Sequence, residues 1–451
     1  MEKKTYDALG NEIVLTKDDF SLVQLDAKIH DKKFETKPTT FLKDAFRRFC
    51  KNKSSVVGAI IIGFLMILAI FVPIFSKYDI DGSHVNETLL RPKLFESGTG
   101  FWDGTKSYKN HGYDNILKRP VGFEKVNASS LTIKEIYQDE NGVYYCNFVY
   151  DKYEDKYGEV EKILYKKDMD KYIKAGLCTY DYDTGAFERL SDDCPVIEIV
   201  QSGKTIKAVV SQYRALGYDK MPKYLFGTDY LGRDLTKLAF KGLQSSLVFA
   251  VIISSICFLF GLVWGAISGY FGGNIDLLME RFTDILGNIP GVVIVTLFRL
   301  HLVKDIKADS LWVFGLALCV SGWMGTAART RTQFYRFKGR EYVLASRTLG
   351  ASDTRLIFRH ILPNALGTLV TSSVLMIPGL IFTESTYSYL GLGLQGTDSF
   401  GVILSGNQGY IQTYPMLIIF PAIIISLLMI SFNLFGNGLR DALNPSLKGS
   451  E

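Results

Sequence analysis

One run of residues constrains this chain more than any other feature: residues 56–75 form twenty consecutive positions without a charged side chain. At about 1.5 Å per residue, a helix of that length crosses the roughly 30 Å hydrocarbon core of a bilayer. The 451-residue chain contains five further apolar runs, and 47% of its residues are hydrophobic. We therefore predict a mainly α-helical, polytopic membrane protein with six transmembrane helices.

The distribution of charge predicts how those helices are oriented. The later apolar runs cover residues 243–270, 277–298, 311–328, 365–390 and 414–435. Basic residues cluster just before the first run and again between residues 329 and 359. Because Lys and Arg remain on the cytoplasmic side, both termini and the segment 329–363 are predicted to be cytoplasmic. The net charge of +5 is therefore interpreted as an orientation signal and not as a nucleic-acid-binding surface.

The N-terminal part of the chain divides at residue 40. Residues 1–39 have mixed charge and are predicted to form a cytoplasmic tail. Leu42, Ala45, Phe46 and Phe49 then follow at i, i+3, i+4 and i+7. That spacing predicts an amphipathic helix lying along the inner leaflet. Residues 40–76 thus comprise this elbow helix and the first transmembrane helix.

Between the first two apolar runs, residues 77–226 are polar and rich in Tyr, Lys, Asp and Gly. Asn141-Gly142 lies between two β-prone runs and predicts a hairpin with a two-residue type I′ turn. Ser202-Gly203 predicts a second hairpin. We expect a β-rich extracytoplasmic insert, in which Cys178 and Cys194 are either bridged or free. Residues 227–440 would form the helical core and residues 441–451 a cytoplasmic C-terminus.

The sequence offers no signal for chemistry of its own. Gly203-Lys204-Thr205 resembles part of a phosphate-binding loop, but Glu198 stands where such a loop needs glycine. The five histidines lie outside the apolar runs, and no H-E-x-x-H motif occurs. We predict no catalytic residue, no metal site and no cofactor in this chain. An intramembrane enzyme or an ion channel is accordingly less favoured than a subunit that works with partners.

A polar, basic segment separates the fourth and fifth apolar runs. Residues 341–348 contain good helix formers, and Gly350 permits a sharp bend. Ser352 is suited to cap a second short helix over residues 354–361, which Pro363 is expected to stop. The predicted product is a helix–glycine–helix knob, a shape suited to being held by another protein.

This segment resembles the EAA loop of the membrane subunits of ATP-binding-cassette (ABC) importers. The matching residues are Leu344-Ala345-Ser346, Gly350 and His360-Ile361-Leu362-Pro363, with Leu344 standing where the family has glutamate. In that family the loop is a coupling helix that docks into a groove on the ATPase subunit. The resemblance implies an ATPase-coupling role for Glu341, Ala345, Ser346, Arg347, Gly350, Ala351, Ser352, Arg359 and Pro363.

Four other stretches resemble the C-type permease of the dipeptide/oligopeptide/nickel branch of these importers. They are GTDYLGRD at 227–234, GYFGGNIDLLMERFTDILGNIP at 269–290, YSYLGLGLQG at 387–396 and NLFGNGLRDALNP at 433–445. The resemblance covers residues 41–76 and 223–447. It implies a type I importer permease in a prokaryotic plasma membrane, moving oligopeptides or, alternatively, nickel chelates or other small solutes.

The same resemblance implies a set of partners. They are a homologous second permease, two ABC ATPase subunits that bind ATP and Mg, an extracytoplasmic substrate-binding lipoprotein, and membrane lipid. The insert 77–226 exceeds what this branch usually carries. We predict that it is a docking collar for the binding protein, and the alternative is that it shields the permease pair.

Two sets of residues are candidates for the pathway and its outer mouth. Asp229, Gly232, Arg233 and Asp234 combine tight turns with charges that pair with each other or contact the receptor. Glu384 lies inside the fifth apolar run, where an unpaired carboxylate costs at least a few kcal/mol. It is predicted to line the pathway or, alternatively, to make a helix-packing hydrogen bond. The other pathway candidates are Ser372, Ser373 and Thr383.

Overall fold

The computed structural model describes residues 41–84, 87–96, 99, 102–203, 205–305, 310–393 and 398–443, together with residues 5–6 and 12–13. The predicted tail 1–39 and the C-terminus 441–451 fall almost entirely outside these residues. The helices are α1 Phe41–Lys51, α2 Lys53–Phe75, α3 Lys152–Tyr157, α4 Lys166–Lys174, α5 Gln212–Ala215, α6 Leu235–Phe271, α7 Gly273–Gly287, α8 Gly291–Phe298, α9 Ser310–Gly322, α10 Met324–Lys338, α11 Glu341–Thr348, α12 Asp353–Arg355, α13 Leu362–Val374, α14 Met376–Tyr389, α15 Phe400–Asn407 and α16 Met416–Leu443.

The strands are short, and those of the insert lie between the first two long helices. They are β1 Thr5–Tyr6, β2 Glu12–Ile13, β3 Thr105–Asp114, β4 Arg119–Pro120, β5 Leu131–Gln138, β6 Tyr144–Asp151, β7 Glu159–Leu164, β8 Cys178–Tyr180, β9 Phe187–Arg189, β10 Val196–Gln201 and β11 Ile206–Ser211. Short 3-10 turns cover Ala128–Ser130 and Gln408–Tyr410, and π-helical turns cover Arg299–Asp305 and Leu356–Ile361.

Within the described residues, four helices are long and apolar enough to cross a membrane: Lys53–Phe75, Leu235–Phe271, Asp353–Tyr389 and Met416–Leu443. A fifth span results if α7 and α8, which are bent by 74° at their junction, count as one. Pro290 precedes α8 and explains that break, because the residue before a proline avoids helical geometry. α9 has only 13 residues, so the sixth span remains a prediction.

Helix α6 lies at the centre of the helical core and packs against most of its other helices. With 37 residues it is about 55 Å long, and it contributes to four buried clusters, two of which join it to most of the other core helices. One cluster joins α6 to α2, α14 and α16 and includes Leu65, Ile381 and Leu428. The other joins α6 to α8 and α9 through Ile294 and Phe314. α6 therefore packs against the other core helices along most of its length.

Outward-facing apolar side chains mark the surface of the core. On α2, one stripe at helical spacing is about half exposed: Val57, Ile60, Phe64, Ile67 and Phe71. A contiguous apolar surface of this kind is unfavourable in water and is typical of contact with lipid or another membrane subunit. On α1, Phe49 packs against Phe435 with ring centroids 5.3 Å apart, whereas Phe46 is exposed.

The insert is built from small antiparallel sheets with the orders β4-β3-β6-β5, β10-β11-β7 and β8-β9. The predicted hairpins at Asn141-Gly142 and Ser202-Gly203 are both present, as β5–β6 and β10–β11. The two-residue turn predicted for the first hairpin is wrong. Asp139 N bonds Val143 O at 3.0 Å, and Gly142 adopts φ +80°, which gives a three-residue loop ending in a glycine bulge. The Asp139 carboxylate favours this loop because it accepts from the backbone N–H of Val143 at 2.8 Å.

A buried polar cluster joins the beginning and the end of the insert, close to the start of α6. Glu87 accepts hydrogen bonds from the hydroxyls of Tyr218 at 2.6 Å and Tyr224 at 3.0 Å. Tyr153 packs beside Tyr224 and is itself fully buried. These contacts join parts of the insert that are far apart in sequence. The backbone N–H of Leu90 donates to Thr228 Oγ1 at 2.8 Å, which connects the insert to the turn before α6.

Cys178 and Cys194 are both buried in one apolar cluster of the insert. Both thiols are free in the structure. Burial raises the pKa of Cys178 to about 11, with a further contribution from Cys194. A thiol with that pKa is almost wholly protonated at neutral pH and therefore unreactive.

Candidate functional site

The predicted coupling segment is a pair of helices around a glycine bend. α11 ends at Thr348, Leu349 is its C-cap, and Gly350 follows with φ +82°. Ser352 caps the next helix by accepting from the backbone N–H of Arg355 at 3.4 Å. The inner side of the segment is anchored because Val343 and Leu356 are fully buried against Phe334 of α10.

The expectation that Pro363 ends the second helix is wrong. Helix continues from Asp353 to Tyr389, and Pro363 lies in the first turn of α13. The π-helical turn Leu356–Ile361 lies directly before it. Such a turn re-spaces the backbone hydrogen bonds, so the missing N–H and the bulk of the proline ring are accommodated without a break. The coupling segment is therefore continuous with a long membrane helix.

Most of the predicted coupling residues lie on the surface. Those exposed are Glu341, Ala345, Arg347, Gly350, Ser352, Arg359 and Pro363, and those partly buried are Ser346 and Ala351. The most exposed side chain at the bend was not anticipated from the sequence: Leu349 is 88% exposed. Leu344 and Phe358 are also exposed, so the tip of the knob is apolar as well as basic. The signal that could have identified it is a leucine directly before a positive-φ glycine in a polar run.

Tyr270, in the last turn of α6, ties the coupling segment to the core. Its hydroxyl accepts from Arg347 Nη2 at 3.2 Å and donates to Asp353 Oδ1. One residue comes from each side of the glycine bend. Tyr270 thus fixes the position of both helices of the segment relative to the C-terminal end of α6.

A second polar cluster lies beside it and was missed by the sequence interpretation. Arg331 of α10 donates to both carboxylate oxygens of Asp276 on α7, each at 2.6 Å. Tyr335 donates to the same carboxylate at 2.7 Å, and Ser268 of α6 also donates to it. This forked, charge-assisted pairing joins α6, α7 and α10 next to the coupling segment.

Close packing of α6 against α10 depends on glycines at a spacing of four. A side chain at Gly265 would lie 2.2 Å from the Ala327 carbonyl oxygen, and one at Gly269 would lie 2.8 Å from the Arg331 carbonyl oxygen. Small residues at this spacing let helix backbones approach closely in membranes. The two helices therefore move as one unit.

At the other end of α6, the predicted outer-mouth motif is paired within the chain. Arg233 Nε donates to Asp229 Oδ2 at 2.9 Å, and the backbone N–H of Arg233 donates to Asp229 Oδ1 at 2.8 Å. Gly232 has φ +83°, and a side chain there would lie 2.1 Å from the His84 carbonyl oxygen. The motif is a turn that locks the start of α6 to the chain leaving α2.

Asp234 completes that turn as the N-cap of α6. Its carboxylate accepts from the backbone N–H groups of Thr236 and Lys237 at 3.0 and 3.3 Å. Burial raises the pKa of Asp234, and the hydrogen bonds to its ionised form oppose that rise. Asp398, after the fifth span, pairs with Lys241 at 2.8 Å and lies 3.7 Å from Arg233.

Glu384 lies within Asp353–Tyr389 and is fully buried. Its carboxylate accepts from the hydroxyls of Ser246 on α6 at 3.1 Å, Ser388 at 2.9 Å and Ser399 at 2.7 Å. These donors come from three different segments of the chain. The arrangement corresponds to the helix-packing alternative, and the pathway role stays a prediction.

The other pathway candidates do not join Glu384. Ser372 donates to Thr368 O at 3.0 Å, Ser373 to Val370 O at 2.7 Å and Thr383 to Gly379 O at 2.8 Å. All three hydroxyls bond within their own helix and are partly buried. Among the residues that the structure describes, no group of three or more His, Cys, Asp or Glu could hold a metal ion.

Comparison with known families places two matches on the chain. Residues 261–449 match the model of the binding-protein-dependent transport system inner membrane component. Residues 40–92 match the N-terminal TM domain of oligopeptide transport permease C. The insert lies between these two matches.

Curated relatives are similar over about half of this chain. The oligopeptide transport system permease protein OppC of Bacillus subtilis (strain 168) is 40% identical over 52% of this chain and 76% of its own length. The dipeptide transport system permease protein DppC of Lactococcus lactis subsp. cremoris (strain MG1363) is 37% identical over 52% of this chain and 67% of its own. Among solved structures, an inward-facing MetNI methionine ABC transporter gives a TM-score of 0.39 at 18% identity, covering 46% of this chain and 96% of that one.

Proposed function

Because this chain belongs to the family of binding-protein-dependent transport system inner membrane components, we propose that it forms half of the translocation pathway of an ABC importer for oligopeptides. It is a membrane-embedded permease subunit, and its curated relatives are transport proteins and not enzymes. Nickel chelates or other small solutes are the alternative cargo. ATP and Mg are assigned to separate ATPase subunits, and this chain needs no cofactor of its own.

The proposal depends on one observation: the exposed knob around Gly350 is hydrogen-bonded to one end of α6. The other end of α6 forms the predicted outer mouth. Arg347 and Asp353 hold Tyr270 at the inner end, and Asp234 caps the outer end. A displacement of the knob by a partner is therefore passed to a single helix that reaches both faces. Rigid helices and packed interfaces transmit such movements as switches between discrete states.

We assign six spans to the chain, with both termini in the cytoplasm. The broken pair α7–α8 supplies the third span, and α9 with the start of α10 supplies the fourth. This assignment places the basic knob on the cytoplasmic side, in keeping with the positive-inside rule. The same assignment places the insert outside the cell.

The partners follow from this arrangement. A homologous second permease would complete the pathway, and two ATPase subunits would hold the knobs from below. On the outside, a substrate-binding lipoprotein would deliver the peptide, with the insert acting as its docking collar. The contacts of the insert with the helical core, from Leu90 to Thr228 and from Trp102 to Phe420, suit a platform better than a loose shield.

The test is the substitution Leu349→Glu in the co-expressed assembly. Leu349 is 88% exposed in this chain and is expected to be buried in the ATPase groove. Burying an unpaired carboxylate there should weaken ATPase binding at least about tenfold. The matched control is Leu117→Glu, since Leu117 is 54% exposed on the insert. Co-purification of the ATPases and uptake of a labelled oligopeptide are the measurements.

Unchanged ATPase binding by the Leu349→Glu variant would contradict the proposal. So would labelling of a cysteine placed at Ser352 by an impermeant reagent added to intact cells, because the knob would then face the outside. Uptake of a nickel chelate without uptake of oligopeptides would retain the importer and replace its cargo.

A further inference from the structure

A cavity of about 460 Å³ lies between the base of the insert and the outer end of α16. Its walls are largely aromatic: Trp102, Phe226, Tyr414 and Phe420 line it. Phe420 stacks on Trp102 with ring centroids 5.5 Å apart and on Phe226 with centroids 4.3 Å apart. Stacked rings of this kind form a rigid wall, so the cavity is a built feature and not a gap between mobile loops.

Arg91 places a cationic group in this apolar cavity. Its Nε is buried and has no hydrogen-bond partner in the part of the chain that the structure describes. Its Nη1 makes one long hydrogen bond, 3.4 Å, to Thr105 O. A guanidinium carries five N–H donors, and leaving them unpaired away from water costs free energy.

One acidic residue accompanies Arg91 in the cavity lining. The other charged residue in its lining is Asp103, whose Oδ1 accepts from the backbone N–H and hydroxyl of Thr105 at 3.0 and 2.8 Å. Burial raises the pKa of Tyr414, Tyr108 adds to the rise, and the charge of Arg91 opposes it. Arg91 and Tyr414 both line the cavity, so the cationic group lies beside the start of α16.

The cavity opens onto an apolar stripe along the first half of α16. Met416 and Ile419 line the opening and are 43% and 42% exposed. The stripe continues at helical spacing with Ile423, Leu427 and Ile430, all of them exposed. On the insert side, Leu94 and Phe95 are half exposed beside Trp102. Aromatic and apolar side chains at such a level are typical of the membrane–water interface.

We propose that this cavity binds an anionic phospholipid of the outer leaflet. Its phosphate oxygens accept from the Arg91 guanidinium, and one acyl chain leaves past Ile419 along the α16 stripe. The forked donors of arginine suit phosphate, which accepts two N–H groups in parallel. The occupant has to supply an anionic head and a long apolar tail together, and a phospholipid supplies both. The outer location follows from the orientation proposed above.

Trp102 provides a direct readout because it lines the cavity and is one of four tryptophans in the chain. The assembled importer in mixed micelles is titrated with phosphatidylglycerol whose acyl chains are brominated, and separately with phosphatidylcholine brominated in the same way. Bromine quenches a neighbouring indole. The quenching that disappears in Trp102→Phe is the signal from the cavity, and phenylalanine keeps the stacking on Phe420.

The expected result is that the Trp102 signal is quenched by phosphatidylglycerol at about a tenfold lower mole fraction than by phosphatidylcholine. Arg91→Gln abolishes the preference, and Arg91→Lys, which keeps the charge but loses the fork, retains part of it. Arg214→Gln removes an equal charge elsewhere on the insert and leaves the preference intact. Inorganic phosphate at matched concentration does not displace the lipid.

Three results would overturn the proposal. Equal quenching by the two lipids would remove the role of the phosphate and of Arg91. Displacement by inorganic phosphate would make the cavity a site for a free anion. Quenching in the isolated subunit that vanishes in the assembled importer would show that the second permease covers the cavity.

Discussion

The two ends of α6 are built differently, although one helix carries both. At the end that we propose is the outer one, Asp229 and Asp234 are buried and Arg233 is partly buried, and all three are hydrogen-bonded within the chain. The insert contacts this end through the hydrogen bond from Leu90 to Thr228. At the inner end, the coupling segment lies largely on the surface. It is attached to α6 by polar contacts to the hydroxyl of Tyr270 and by one small apolar cluster.

This difference indicates which end of α6 a partner subunit can displace more easily. The outer end has its polar groups satisfied internally, so displacing it would break several buried interactions at once. The coupling segment at the inner end presents an exposed apolar tip at Leu349 and is attached to α6 through the Tyr270 hydroxyl and one apolar cluster. A partner subunit that binds the inner end can therefore displace it while breaking few buried interactions. The outer end then moves with it as a rigid body.

We expect the largest effect from removing the hydrogen bonds that connect the knob to α6. In Tyr270→Phe the hydroxyl that contacts Arg347 and Asp353 is lost, while the ring can remain in place. We expect peptide uptake to fall about tenfold while the ATPases stay bound and hydrolyse ATP, because two hydrogen bonds to charged groups are worth a few kcal/mol. Uptake and ATPase rate are measured in the same vesicles.

The matched control is Tyr342→Phe, which removes a hydroxyl from the same segment. That hydroxyl accepts from Asn364 at 3.2 Å, and α6 contributes nothing to this contact. If both variants lose uptake equally, the contrast between the two ends of α6 fails, because Tyr270 would then have no special coupling role.

Some features of the two ends of α6 and their surroundings can be predicted from sequence, because they depend only on residues that are close together in the chain. The twenty-residue run at 56–75, the bend at Gly350 and the cap at Ser352 each depend on neighbours within a few residues. Asp276 and Arg331 are 55 positions apart, so their pairing arises only when α7 and α10 pack. The continuation of helix through Pro363 likewise needs the adjacent π-helical turn, which residue propensities do not encode.

The same reasoning explains the ambiguity at Glu384. A carboxylate in an apolar run signals a polar site, but its partner Ser246 is 138 positions away and Ser399 is in another segment. Sequence can show that a partner is needed, whereas only the fold shows whether that partner is protein or cargo.

A smaller effect, located between the two ends of α6, is expected from Glu384→Gln. The amide keeps one acceptor oxygen, but its NH2 group faces hydroxyls that now donate to a carboxylate. We expect the assembled importer to lose about 1–3 kcal/mol of stability, measured as a lower unfolding temperature, with uptake falling only in proportion. Ser372→Ala, which removes a hydroxyl bonded within its own helix, serves as the control. Lower uptake at an unchanged unfolding temperature would instead support a pathway role for Glu384.

The smallest effect concerns the rigid outer end and its dependence on pH. Burial lowers the pKa of Lys152 to about 8, and its Nζ donates to Thr88 O at 2.7 Å. The unfolded chain keeps Lys152 protonated up to about pH 10.4, so between these values the unfolded state binds more protons than the folded one. Stability of the insert should therefore rise as pH increases above about 8, by at most about tenfold in the folding constant per pH unit. Amide exchange protection of α3 in the full chain measures this rise, which Lys152→Met should remove. Lys109→Met, at an exposed position of β3, should preserve it. A rise that persists in Lys152→Met would show that the outer end gains its rigidity from other titrating groups.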